Sequence, residues 1–259
     1  MDYEHILVDI SETFVATITM NRPQHLNTFN TGMAKELYNA FVDLDADPNV
    51  RVLVIKGAGK GFCAGIDVKE LEGKSAMEYR NWIETMERPL MVISKLKKPV
   101  IAQVHGVAAA NGMGLMAATD LAMAADNARM GLTAINVGLN CVGPVVPVAK
   151  SIGRKKALEL LLYGDLINAQ EALKLGLINK TSPEEHLDSE TRKWAETLAQ
   201  KSPIAVQIAK SAFYTAEDMD YDKQFDFMNE TFARLCTTDD AKEGVKAFFE
   251  KRKPVWAMK

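Results

Sequence analysis

"GVAAANGMGLMAATD", residues 106–120, packs small residues tightly together in the middle of the chain. Between Gly106 and Asp120 there is no acid, base or thiol, and the one hydroxyl is Thr119. The run before it, "PVIAQVHG" (99–106), and the run after it, "LAMAAD" (121–126), are mostly apolar. Each has the length and composition of a strand covered on both faces. The spacing predicts a short helix over 111–119 between them. A strand, a helix and a second strand imply a crossover and a parallel sheet. "VRVLVIKG" (50–57) is a third run of the same kind.

Outward from this unit, "HILVDI" (5–10) and "FVATITM" (14–20) alternate and are β-branched, so they read as a hairpin. "NRPQHLNTFN" (21–30) breaks the pattern as a loop. Met33, Leu37, Phe41 and Leu44 form a helical stripe, and residues 84–97 read as helix. After about Gly143 the patterns are helical, punctuated by Gly and Pro. The expectation is an α/β first part and an all-helical last third, divided as a core over 1–195 and a helical region over 196–259.

The 259 residues are 47% hydrophobic and 25% charged, ordinary globular composition. A net charge of −3 gives no electrostatic reason to expect nucleic acid or an anionic membrane as partner. Cys63, Cys141 and Cys236 are widely spaced and odd in number, which fits neither a disulfide framework nor a zinc site. His5, His25, His105 and His186 lack metal-ligand spacing. The N-terminus lacks the basic start of a signal peptide, and no apolar run approaches a membrane span, so a cytoplasmic protein is expected.

Two Gly-rich stretches each join a strand end to a helix start: "GKGFCAGIDVKEL" (59–71) and "VHGVAAANGMGL" (104–115). Ligands of open α/β sheets gather beyond the carboxyl ends of strands, where helix N-termini offer unpaired N–H groups. Two such groups aimed at one point make an oxyanion hole. Tight strand–helix packing is the other use of such glycines.

Several blocks together carry a resemblance. "NRPQHLNTF", "GFCAGIDVKEL", "VHGVAAANG", "DLAMAADNARMG", "ALELLLYGDLINAQEALKLGLINK" and "EGVKAFFEKRKPVW" stand in the order and spacing of the crotonase (enoyl-CoA hydratase/isomerase) superfamily. The resemblance covers nearly the whole chain. It implies an α/β crotonase spiral of repeated ββα units, with a helical C-terminal region that assembles a homotrimer or a dimer of trimers. It also implies that coenzyme A enters as part of an acyl-CoA substrate, with no permanently bound cofactor.

Position by position, the resemblance places the oxyanion-hole N–H groups on Ile66 and Asn111. It lays Gln24, His25 and Leu26 along the nucleotide and pantetheine, and brings Ala64, Ile66, Asp67, Val68 and Lys69 to the thioester and adenine. Phe248 and Lys251 match C-terminal positions that meet CoA, in some members from a neighbouring subunit. The Asn111 side chain either caps the following helix or reaches the thioester oxygen.

Hydratases of the family split water with two glutamates. The matching positions here are Gly114 and Ala134, and neither can move a proton. Ordinary two-glutamate hydration is therefore not expected, and crotonyl-CoA hydration should be very slow. Glu84 and Glu87 are candidates for a displaced acid, while Asn136 and Asn140 could orient water or substrate. Asp67 reads as a brace of its loop, His105 as structural, and Cys63 and Cys141 as small buried residues. Three activities stay open: a hydratase/isomerase-type enzyme with a relocated acid, a decarboxylase or thioester hydrolase using the same amides, and a non-catalytic CoA-binding scaffold.

Overall fold

The computed structural model describes residues 3–258. Six strands form the main sheet in the order β1-β2-β3-β4-β6-β9, and three short ones form a second sheet, β5-β7-β8. β1 (Ile6–Ile10) and β2 (Val15–Met20) pair antiparallel as the expected hairpin. β3 (Val52–Gly57), β4 (Val100–Val104) and β6 (Leu121–Ala125) then add in parallel. β3 and β4 are apolar because both faces are covered. α1 (Thr31–Ala46) places Met33, Leu37, Phe41 and Leu44 in the core, and α7 (Glu184–Ala199) also packs on the sheet.

The second sheet holds β5 (Val107–Ala109), β7 (Arg129–Gly131) and β8 (Ile167–Asn168). At three residues or fewer, these strands are too short to show a period. The expectation of an all-helical last third needs correction. Beside α4 (Val145–Ile152), α5 (Arg154–Tyr163) and α6 (Ala169–Leu175) lie β8 and β9 (Lys180–Ser182). β9 pairs parallel to β6 and closes the main sheet. The division at 195/196 falls inside α7.

α2 runs Ala76–Ile93 instead of 84–97. A reciprocal capping box of Ser75 and Glu78 starts it, and Pro89 lies within it. α8 (Pro203–Ala216), α9 (Tyr221–Cys236) and α10 (Asp239–Phe249) complete the chain. α8 is clasped to the sheet by a buried cluster in which Lys210 Nζ donates to Asp120 Oδ2 at 2.7 Å and Tyr214 Oη donates to Asp120 Oδ1 at 2.9 Å. Among the described residues, no helix is long and apolar enough to cross a membrane.

Candidate functional site

The two Gly-rich loops are stitched side by side. Phe62 N donates to His105 O (2.9 Å), Cys63 N to Val107 O (3.1 Å) and Ala109 N to Cys63 O (2.9 Å). This makes a parallel bridge of Cys63 with Ala108. The same register carried onward sets Ile66 opposite Asn111. Close approach is obligatory, since a Cβ on Gly112 would collide with the Cys63 carbonyl oxygen.

Gly65 precedes Ile66 with φ +117°, and Ala110 precedes Asn111 with φ 49° and ψ −116°. Both residues occupy the positive-φ region, which a residue with a Cβ enters only at a cost of about 1–3 kcal/mol. The amide N–H groups of Ile66 and Asn111 have no acceptor among the described residues. Asn111 opens α3 (Asn111–Ala118), where the helix dipole adds partial positive charge.

The Asn111 side chain does not cap α3. The N-cap is Ala110, without a side-chain cap bond. Asn111 is only 4% exposed, and its Nδ2 is buried without a partner.

The first loop is braced from below. Arg22 donates to Asp67 Oδ2 (2.9 Å) and to Thr28 O (2.5 Å), and Asp67 Oδ1 accepts from Lys69 N (3.2 Å). The Arg22 hydrogen bond holds the Asp67 carboxyl below the usual aspartate range. Gln24 and His25 lie in a 3-10 turn over Pro23–His25, and Leu26 follows with φ 48°. Leu26 O accepts from Ala64 N at 3.0 Å, which docks this segment onto the loop. Val68 and Lys69 are exposed at the loop's outer edge. Glu70 accepts from Thr31 N, Thr31 Oγ1 and Trp82 Nε1, tying the loop to α1 and α2. This anchor was not singled out from the sequence.

Phe248 and Lys251 are exposed, and α10 packs on α8 and α9.

Gly114 and Ala134, the positions at which the resemblance expects glutamates, are closed differently. A Cβ on Gly114 would lie 2.7 Å from Pro144 Cβ and 3.0 Å from Leu90 Cδ2, so that space is already filled. Ala134 sits beside buried Cys141, whose thiol is hydrogen-bonded to the Ala134 backbone and pushed up by burial. Burial also pushes the Cys63 thiol up to about 12. Neither cysteine is poised as a nucleophile. Asn136 Nδ2 donates to Gly164 O (3.1 Å) and Asn140 Oδ1 accepts from Cys141 N (2.7 Å), so both amides serve the fold. His105 Nε2 is satisfied by Gly59 O at 2.9 Å.

Glu84 is half-exposed and flanked by Arg80 and Arg88 at 3.7 and 3.6 Å, on the outer side of α2. Its carboxyl is engaged by these two arginines of its own helix on the exposed side. Glu87 differs: its carboxyl occupies the space where a Gly143 side chain would go, and it has no hydrogen-bond or ionic partner. Burial raises its pKa above the usual glutamate range. Glu87, Leu90 and Gly143 border a cavity of about 670 Å³ between α2, α3, α4 and α8; Ile66 and Asn111 do not line it.

The enoyl-CoA hydratase/isomerase family profile matches residues 11–259. The mitochondrial enoyl-CoA hydratase domain-containing protein 3 of Xenopus laevis is 35% identical over 93% of this chain and 83% of its own length. The crystal structure of the human domain-containing protein 3 superposes with a TM-score of 0.94 at 33% identity, over 98% of this chain and 100% of that one. An enoyl-CoA hydratase crystal structure from Mycobacterium smegmatis gives 0.95 at 37% identity, over 98% and 99% of the two chains.

Proposed function

The chain belongs to the enoyl-CoA hydratase/isomerase family, and from that premise we propose that it binds an acyl-CoA and stabilises its thioester enolate with the main-chain N–H groups of Ile66 and Asn111. The observation that carries this reading is the pair of unpaired amides held at matched register, each behind a positive-φ residue. When the α-carbon loses a proton, the electron pair moves onto the thioester oxygen. Two fixed donors in a site screened from water stabilise that charge, and losing one typically costs about 3 kcal/mol of transition-state stabilisation.

Glu87 is the acid–base group in this reading. It is an unpaired carboxyl set against Gly143, the chain neighbour of the Pro144 that fills the space beside Gly114. It takes the α-proton and returns it to the acyl chain, which serves isomerisation without a second glutamate. Gln24, His25, Leu26 and the backbone from Ala64 to Lys69 line the CoA. Phe248 and Lys251 reach CoA from another copy in a homotrimer or a dimer of trimers. Exposed Phe225, Phe232, Phe248 and Phe249 on α9 and α10 support such an assembly.

The lack of a carboxyl at Gly114 and Ala134 favours a second reading, decarboxylation. Loss of CO2 leaves the C–C electron pair as the same enolate and needs no base, only a later proton at the α-carbon. Thioester hydrolysis on the same amides is less supported, because the thiol of that loop, Cys63, is buried and held protonated.

The test is solvent deuterium uptake at the α-carbon across a panel of acyl-CoAs. Uptake into a bound thioester supports enolate formation. Tight binding with no uptake for any thioester would make the chain a CoA-binding scaffold.

A further inference from the structure

A second cavity, of about 340 Å³, lies between α8 and α9, and no residue of the two Gly-rich loops lines it. α8 contributes Gln207, Ile208 and Ser211, α9 contributes Phe227, Thr231 and Arg234, and Lys97 joins them from the turn before β4. Five of these side chains are polar, none is acidic, and none of the five has a hydrogen-bond or ionic partner among the described residues. Thr231 is only 6% exposed, and its buried hydroxyl lacks even the bond to its own helix that threonine commonly makes. The turn carrying Lys97 is fastened on two sides: Lys98 Nζ donates to Leu44 O of α1 at 2.8 Å, and Lys98 O accepts from Lys210 Nζ of α8 at 2.9 Å. Two cations without a counter-charge therefore share one cavity on a fixed frame. The face of α9 that lines it is not the one carrying the exposed phenylalanines. At about 100° per residue, Phe227, Thr231 and Arg234 fall within about 60° of one another, whereas Phe225 and Phe232 centre about 140° further round. A subunit contact through those two rings does not use this face.

We infer that this cavity binds a small amphipathic carboxylate, its head between Lys97 and Arg234 and its hydrocarbon body along Ile208 and Phe227. A guanidinium offers two parallel N–H donors that match a carboxylate, and the ammonium adds a point charge. Gln207 and Ser211 supply neutral donors in the same cavity. The apolar walls distinguish the site from one for a bare ion: they give inorganic phosphate nothing, and they shed water when hydrocarbon covers them. The volume lies at the small end of cavities that hold organic ligands. The inference does not depend on the acyl-CoA reading, since none of the residues proposed to meet CoA lines this cavity.

The test is calorimetric titration of the full chain with octanoate, octylamine and inorganic phosphate, in wild type, Lys97→Gln and Arg234→Gln, with saturating octanoyl-CoA present and absent. Octanoate should bind wild type at least about tenfold more tightly than octylamine or phosphate, whether or not the thioester is present. Each substitution removes a charged donor from an exposed side chain. Each should weaken octanoate at least about tenfold while keeping the wild-type circular dichroism spectrum and melting temperature. Octanoate binding that octanoyl-CoA abolishes, or that survives either substitution, overturns the inference and leaves the acyl-CoA reading standing. Phosphate or octylamine binding as tightly as octanoate also overturns it, as does wild type that binds no octanoate. In that last case, altered sedimentation of the two variants would assign the cations to a contact between copies of the chain. Failure of octanoyl-CoA itself to bind counts against the acyl-CoA reading alone.

Discussion

Gly65 and Ala110, the residues that precede the two free amides, face each other across the site: a Cβ on Gly65 would sit 3.0 Å from Ala110 Cβ. Both hold positive φ, so each peptide is turned to leave the next N–H without an internal acceptor. Gly65→Ala adds a side chain where neither space nor φ favours it. It should destabilise the protein by about 1–3 kcal/mol in urea and cut α-deuterium exchange at least about tenfold, since the Ile66 donor moves. Unchanged exchange would separate the loop's conformation from the chemistry.

Simple restoration of the family's glutamates should not restore hydration. At Gly114 any side chain meets Pro144 and Leu90 at once. Gly114→Glu, alone or with Ala134→Glu, is expected to lower stability by about 1–3 kcal/mol through overpacking and to leave crotonyl-CoA hydration at background. Appearance of hydratase activity would mean that Pro144 yields easily.

These two loops were legible in the sequence because glycine at a strand end is a backbone requirement that letters display. What surrounds them was less so. β5, β7 and β8 pair through two or three residues, too few for a period to emerge. β9 carries "KTS", whose strand state comes from the edge that β6 presents, not from its composition. The start of α2 was missed because its first turns are polar, although Ser75 and Glu78 spell a capping box. Spacing already sets Glu84 between Arg80 and Arg88, four residues to either side, but it does not show where Glu87 goes. Only the fold sets the Glu87 carboxyl against Gly143.

Asp67 should matter through Arg22. Its folded pKa is depressed, chiefly by the Arg22 hydrogen bond, so its contribution is full above the ordinary aspartate value and lost as pH falls through the folded value. Asp67→Asn should therefore lower the melting temperature at pH 7, and the gap to wild type should close on acidification. A gap independent of pH would place its origin in packing.

Lys210 fastens α8 to the sheet through Asp120 and Lys98 O. Lys210→Met removes the cation and leaves the carboxylate of Asp120 buried with Tyr214 and Val100 N as its remaining donors. The expected loss is about 3–5 kcal/mol by urea denaturation. A loss below about 1 kcal/mol would show that water replaces the cation.

Glu87 sets stability against chemistry. Its folded pKa is raised by burial alone, so the folded state favours the protonated form, and ionisation costs stability as pH rises past the ordinary glutamate value. Glu87→Gln keeps the shape and removes that charge. It should melt higher than wild type at pH 8, and the difference should vanish in acid where both side chains are neutral. The same variant should lose α-deuterium exchange by about 100-fold or more if Glu87 moves the proton. A higher melting temperature with exchange intact would leave Glu87 as a strained neighbour of Gly143 and return the proton transfer to solvent, whereas loss of exchange together with the stability gain is the pattern of a group kept for its reactivity at the expense of the fold.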